Sequence, residues 1–511
     1  MVDTERFRLR RFVQRLIEAG ECEVRDQPID LVDVAAVLDG NSRATLFRAA
    51  GPEKAELVGN VMGSRRRLAI AFDTDEAGLL PTLAQRLSQP QAPVKVPAKE
   101  APVQAVVLTG KDADLCALPV HLQHSEDGAP YISASLDFTR VPSTGFTNVG
   151  CRRIMLRGPR TAGIDLIAPS DLRAIYLDAV SRGENLPIAF AVGSHPADFM
   201  AAVSATPPMD ELAVIGAVRG APVPIVKCIS NDVWVPADAE YVLEGHLDAK
   251  GHVEPEGPFG EYVGYYGVVK RNPVFHLTAI TRRKDALFQT VTIGGRHLAR
   301  TDTAQVTTVK TESAAWAGLI TAVREPVAVF ATPSSGGMYN VRVSLRQRVP
   351  GEARNAIAAV FGSMAEAKHV FVFDDDIDVF SDEQVDWALA TRYQGDRDLI
   401  TAGGFRVVPL DPSLGGARTG AKVGFDCTIP FGKRASLEWG IPAPPVMPKR
   451  ARSKSVADTL AAEPASFLEL MAASGSRDGR EIVRELDALY AANRLTRNEN
   501  GRYVLKSGAA S

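Results

Sequence analysis

Apolar and polar positions change rhythm twice along the chain, and the two changes divide it. Residues 5–20 place Phe7, Phe12, Leu16 and Ile17 near helical spacing with arginines on the opposite face, which predicts a helix. A strand at 22–24, a helix at 29–38, short strands at 57–61 and 68–71 and a helix at 77–87 follow. This mixture predicts a small α/β unit ending in the proline-rich linker 90–102. From Gln104 to about Arg300 the pattern becomes short apolar runs between turns, at 105–108, 131–136, 225–228, 241–243, 268–269 and 274–279. Repeated short strands with few helices (171–182 and 197–204) point to a β-barrel or packed sheets. After Arg300 the α/β rhythm returns: helix 303–317, strand 328–330, helix 354–365, strand 369–373 and helix 382–391. A proline-rich strap at 443–449 leads to a last unit of two helices, 467–473 and 478–492, and a hairpin at 495–505 turning at Asn498-Glu499-Asn500-Gly501. Helix, helix and hairpin resemble a small winged-helix module, here without a strongly basic recognition helix. Residues 507–511 are expected to fray.

Composition narrows the function classes. A length of 511 residues implies two or three domains, and a net charge of −3 gives no reason to expect nucleic acid or a membrane surface as partner. The five cysteines (Cys22, Cys116, Cys151, Cys228, Cys427) are widely spaced and form no CxxC pair, so they read as reduced thiols of a cytoplasmic protein. The charged N-terminal residues lack the apolar stretch of a signal peptide, and no uncharged apolar run is long enough to span a bilayer.

The chemistry concentrates in Glu254-Pro255-Glu256-Gly257-Pro258-Phe259-Gly260-Glu261-Tyr262-Val263-Gly264-Tyr265-Tyr266. Two carboxylates flank a Gly-Pro-Phe-Gly kink that neither a regular strand nor a helix accommodates. Acids brought together beside aromatic rings repel each other and resist desolvation, so at least one is expected to titrate towards neutrality and serve as a proton donor. A surface turn with solvated acids is the plain alternative. Arg152-Arg153 follows Asn148 at the end of a strand, and an arginine there could hold one glutamate by a forked hydrogen bond. The run Asp374–Asp378 lies between a strand and a helix, where capping and turn chemistry explain it better than a metal. Gly415–Lys422 suits a phosphate but is not a P-loop, because Val423 follows the lysine. Arg296 and His297, after Gly294-Gly295, are candidates for binding an anionic substrate.

Together these motifs resemble the UbiD family of decarboxylases, which use prenylated FMN. The match runs in order over residues 130–430: Asn148 with Arg153, Val226-Lys227-Cys228 with Val235-Pro236-Ala237, Ala239-Glu240 and Glu244-Gly245, EGPFGEY with the GYY that follows, Asp374–Asp378, and Lys422, Gly424, Asp426 and Thr428. The resemblance implies an α+β multidomain chain. Its parts are an N-terminal α/β domain (1–103), a central split β-barrel that binds the flavin (104–305), a C-terminal α/β oligomerisation domain (306–450) and a helical, winged-helix-like tail (451–511) that the family does not account for. It implies Arg153, Glu256 and Glu261 as the catalytic trio, with Glu261 delivering the proton and Arg153–Glu256 orienting substrate and cofactor. It further implies a divalent metal, Mn2+ or Mg2+, bridged to the cofactor phosphate, with K+ nearby. Asn148 and Glu211 match two of the metal ligands. Asp171 stands where the family has a histidine; a carboxylate suits the same hard cations, though Asp171 could equally cap its helix. Asn148, Arg153, Glu211 and Lys422 would hold the cofactor, Lys422 at its phosphate. Expected partners are a small aromatic, heteroaromatic or α,β-unsaturated acid with CO2, a flavin prenyltransferase as cofactor supplier, and further copies in a homodimer or homohexamer. Two rivals remain open: a flavin oxidoreductase on the same barrel, and a non-catalytic regulator acting through the tail.

Overall fold

Six strands of the middle of the chain close on themselves. Tyr131–Arg140 (β1), Thr147–Gly158 (β2), Thr161–Ile164 (β3), Leu186–Val192 (β4), Tyr241–Leu247 (β5) and Val274–Arg282 (β6) are all antiparallel, in the ring order β5, β4, β1, β2, β3, β6, with β6 pairing back to β5. A closed ring leaves no edge among these six strands, and a seventh, Val106–Thr109, adds alongside β6. Strand alternation builds two cores. Ile132, Ile154, Ile188, Phe190, Leu243 and Phe275 share one, joined by Leu172 and Tyr176 of the helix Asp171–Ser181 (α1). Leu136, Phe138, Ala189 and Ala191 pack into the other with the helices Pro196–Val203 (α2) and Glu211–Arg219 (α3).

These features belong to a computed structural model that describes residues 3–204, 208–364 and 366–506. By contacts the chain falls into two units, Met1–Thr428 and Ile429–Ser511. Within the first, an N-terminal sheet runs in the order Cys22–Arg25, Ala44–Ala50, Ala55–Gly59, Phe288–Thr290, so its last strand is lent by the chain leaving the barrel. The helix Asp302–Ala322 (α4) then leads to a five-stranded C-terminal sheet, Pro326–Ala331, Asn340–Leu345, His369–Asp374, Thr419–Asp426 and Leu399–Arg406 in spatial order, with parallel inner pairs. Ala315 and Leu319 of α4 and Ile357 and Val360 of the helix Glu352–Gly362 cover one face of that sheet.

Several elements differ from the sequence reading. Residues 68–71 end a helix, Arg65–Ala71, capped by Ser64, whose side chain accepts from the Arg67 N–H. Four apolar residues in a row carry no period, so the cap and the preceding arginines decide the matter. Val268 and Val269 form no strand but an exposed connection between two short ones. The helix expected at 354–365 ends at Gly362, and Ala365 and the tail residues 507–511 lie outside the described residues. Three helices rather than two, Val456–Ala462, Phe467–Ser474 and Arg480–Ala491, precede the final hairpin around a core of Val456, Leu460, Leu470, Ile482 and Leu486. Among the described residues no helix is long and apolar enough to cross a membrane.

Candidate active site

The paired-acid segment folds as its glycines and proline dictate. Glu254–Glu256 pairs with Lys270–Asn272, Gly257 takes φ +98°, a cis peptide joins it to Pro258, and Phe259–Gly260 pairs with Tyr266–Gly267. The loop at 124–128 pins the kink: the Gly128 N–H donates to the Pro258 carbonyl (2.8 Å) and the Gly260 N–H to Asp127 Oδ1 (2.8 Å). A Cβ on Gly260 would stand 2.3 Å from the His124 ring, and one on Gly267 would stand 2.7 Å from Glu261 Oε1. Both glycines are therefore required by close approach.

This path brings Glu256 and Glu261, both buried, onto one guanidinium. Arg153 of β2 forks onto Glu256, Nε to Oε1 at 2.9 Å and Nη2 to Oε2 at 3.1 Å, while Nη1 donates to Glu261 Oε1 at 2.5 Å. Phe259 lies under the guanidinium, 4.5 Å from its ring centroid, and Tyr131 packs on Phe259 at 4.4 Å. Three residues not singled out from the sequence complete the cluster. Asp165 pairs with Arg153 at 3.0 Å, Lys270 reaches Asp165 at 3.3 Å, and the Asn272 amide donates to Glu256 Oε2 at 3.2 Å. Each is an ordinary polar residue in or just after a strand, and only the pairing register reveals it.

Burial and charge act together on Glu261 and its neighbours. Burial raises the Glu261 carboxyl above its usual range despite the Arg153 charge beside it. The expected raised carboxyl thus has a different main cause from mutual repulsion, because Arg153 lies between the acids and desolvation dominates. Burial also works to raise Asp165, but Arg153 and Lys270 outweigh it and hold that carboxyl low. Arg153 itself is held above the usual guanidinium value, its burial overcome by Glu256, Glu261 and Asp165.

A second cluster lies on the same strand. Glu211 opens α3, where Asp210 is the N-cap, and accepts from the Asn148 amide (3.0 Å) and from the Val149 N–H. Burial pushes Glu211 up to about 7; Asp171 and Asp137 add to the rise. Asp171 occupies the exposed first turn of α1, but the N-cap is Ser170, whose hydroxyl accepts from the Arg173 N–H. An amide and two carboxylates are hard oxygen donors, and a buried acid surrounded by other acids is a setting that a divalent cation relieves. The residues therefore fit such a cation. Among the described residues no set of three or more His, Cys, Asp and Glu side chains is arranged to hold a metal, so the Asn148 amide would be an essential ligand.

The remaining candidates lie elsewhere. Lys422, on Thr419–Asp426, donates to the Phe361 carbonyl (2.8 Å) and sits over the Phe405 ring (5.3 Å). The structure does not gather it with Asn148 and Glu211. Arg296 and the half-exposed His297, which meets Asp39 at 3.1 Å, line a cavity of about 360 Å3 with Leu38, His121, His124 and Ile293. Arg153, Glu256 and Glu261 are not on its wall. The acidic run is tied to arginines, Asp375 to Arg346 and Asp376 to Arg392, and the helix after it is capped by Ser381.

Comparison with known proteins bears on all of this. Three family models match, those of the 3-octaprenyl-4-hydroxybenzoate carboxy-lyase N-terminal domain over residues 13–87, its Rift-related domain over 94–297 and its C-terminal domain over 307–427. The chain is 30% identical over 434 residues to the anhydromevalonate phosphate decarboxylase of Methanosarcina mazei, covering 84% of this chain and 98% of that one. Among solved structures it is similar to the UbiD-class enzyme HmfF from Pelotomaculum thermopropionicum in complex with FMN, with TM-score 0.80, 33% identity, and 85% of this chain and 97% of that one covered. It is also similar to apo 3,4-dihydroxybenzoic acid decarboxylase (AroY) of Klebsiella pneumoniae, with TM-score 0.79, 26% identity, and 86% and 98% covered.

Proposed function

The chain belongs to the UbiD family of carboxy-lyases, and from that premise we propose that it removes CO2, reversibly and without net oxidation, from an aromatic, heteroaromatic or α,β-unsaturated carboxylic acid with prenylated FMN as cofactor. The observation that carries this reading is Arg153 clamped between two buried glutamates of unequal character. Solved relatives support both halves: one is complexed with FMN, and another is named for an aromatic acid.

When bound, the prenylated flavin supplies the electron sink that loss of CO2 from an sp2 carbon needs. The chain supplies position and a proton. Glu256, held by the Arg153 fork and the Asn272 amide, fixes the guanidinium so that it can orient a substrate carboxylate. Glu261 makes a single bond to Arg153 and is raised by burial, so it can carry a proton to the carbon that loses CO2 and recover it in the reverse direction. Asn148, Glu211 and Asp171 would hold Mn2+ or Mg2+ beside the cofactor phosphate, with K+ as a further ion. A flavin prenyltransferase as supplier and a homodimer or homohexamer as the assembly complete the proposal.

The test is protein co-produced with a flavin prenyltransferase, assayed for CO2 release from a panel of unsaturated and aromatic acids. Glu261→Gln should keep the flavin absorbance and lower turnover by about 10²-fold or more, with a parallel loss of hydrogen–deuterium exchange at the reacting carbon. Normal exchange in that variant would remove Glu261 from the proton-donor role. CO2 release from none of the acids, with the cofactor verified by mass, would overturn the reading as a whole.

A further inference from the structure

Asp137 stands on β1 directly opposite Gly150 of β2, with Ser135 facing Arg152 and Thr139 facing Asn148 on either side. Facing residues of an antiparallel pair project to one face, and positions two apart along a strand share it. Asp137 therefore shares a face with Asn148 and Arg152, in the gap that Gly150 leaves. A Cβ on Gly150 would stand 2.6 Å from Asp137 Oδ2, so the absence of a side chain there makes room for the carboxylate.

That carboxylate is fully buried and neither of its oxygens has a hydrogen-bond partner. The cation facing it is Arg152, whose Nε lies 3.5 Å from Oδ2 and is itself buried without a partner. At its other edge Arg152 Nη2 donates to the Ser170 hydroxyl, the N-cap of α1 (3.1 Å). A guanidinium is thus held from below by a buried acid and set at a helix N-terminus. The helix dipole there disfavours a cation by itself and favours an anion. The arrangement makes chemical sense if an anion is received jointly by the guanidinium and the first N–H groups of the helix.

Resting on the flavin reading above, we propose that Arg152 receives the phosphate monoester of the flavin nucleotide, and that Asp137 is the positioning residue that aims it. The pair extends the Asn148–Glu211 cluster into a site with an acidic half for a cation and a basic half for a phosphate. Arg152 is legible in the sequence only as half of an arginine pair, and Asp137 not at all.

FMN and riboflavin differ only in that phosphate, so titrating each into the purified full chain, followed by flavin fluorescence, isolates its contribution. The unmodified protein should bind FMN more tightly than riboflavin. Arg152→Gln should weaken FMN about tenfold or more and leave riboflavin unchanged, with Arg152→Lys recovering part of the loss. Asp137→Asn should weaken FMN in the same direction by a smaller factor, and should add nothing once Arg152 is Gln. An FMN-to-riboflavin ratio unaltered in Arg152→Gln would overturn the assignment while leaving the flavin reading standing. Failure of the unmodified protein to bind either flavin would overturn both. Should Arg152→Gln not fold, as judged by thermal melting, Asp137→Asn decides: an unchanged ratio there is fatal to the proposal.

Discussion

At the scale of single residues, the site depends as much on missing side chains as on present ones. Gly267 faces the Glu261 carboxyl across a gap too small for a methyl group, 2.7 Å from the built Cβ to Oε1. It lies in a strand pair and not in the left-handed region, so alanine would meet steric and not backbone resistance. Gly267→Ala should push the carboxyl off Arg153 and lower kcat by about 10²-fold, as expected for a displacement near 1 Å, with little change in melting temperature. An unaltered rate would show that the Glu261–Arg153 contact does not position the proton donor. The same scale explains what was legible beforehand. Glu256, Glu261 and the kink between them are contiguous, so their chemistry could be read from a dozen letters. Asp165 reaches the same guanidinium, Lys270 reaches Asp165 and Asn272 reaches Glu256 through the folding of β2, β3 and the hairpin after the kink, and nothing in their own neighbourhoods marks them.

At the scale of elements, α4 is the strut that joins the parts of the larger unit. Its first residue, Asp302, accepts from the Met62 N–H (2.5 Å) and the Thr292 N–H (2.8 Å), linking the N-terminal sheet to the chain leaving the barrel. About one and two turns beyond its middle, Ala315 and Leu319 enter the core of the C-terminal sheet. Between these ends the fully buried Glu312 accepts from Arg65 Nη1 with both oxygens at 2.8 Å and from the Ala331 N–H at 3.4 Å. Burial nevertheless pushes Glu312 up to about 7, outweighing Arg65. An acid whose folded value lies above its unfolded value near 4.5 binds more protons when folded, so its contribution is complete at low pH and is lost as pH rises towards and past 7. The stability difference between the unmodified protein and Glu312→Gln should therefore shrink over that window in urea melts, whereas parallel curves would refute the burial argument. Glu312→Ala, which removes the carboxylate partner of Arg65, should cost about 3 kcal/mol. Helix α4 is visible in the sequence because residues 303–317 run without proline or glycine. The helix Arg65–Ala71 reads as a strand because its apolar stretch carries no period, and Phe288–Thr290 joins a sheet begun more than 200 residues earlier, which no local pattern records.

At the scale of the whole molecule, the proposed chemistry and the family likeness both fall within the first unit. The paired-acid and Asn148–Glu211 clusters lie at or before Asn272, the C-terminal family model ends at residue 427, and the contact boundary falls after Thr428. The final unit has its own core and its own capping box, Ser466 with Glu469, as expected of a module that folds by itself. The threefold rhythm of the sequence anticipated the two sheets and the barrel because each is built from its own periodic segments, while closure of the barrel rests on the pairing of β5 with β6, invisible to any window shorter than both. A chain ending at Thr428 should then melt cooperatively, bind FMN as the full chain does and turn over within about twofold of it, a difference of ~0.4 kcal/mol in the barrier. Reduced turnover with unchanged melting and FMN affinity would give the final unit a part in the chemistry. Reduced turnover with lowered melting would instead show that the first unit does not keep its fold without the rest of the chain. The three readouts together separate these cases, because on the proposed assignments FMN affinity reports the barrel face, melting reports the sheets, and turnover alone requires Arg153, Glu256 and Glu261 to be in register.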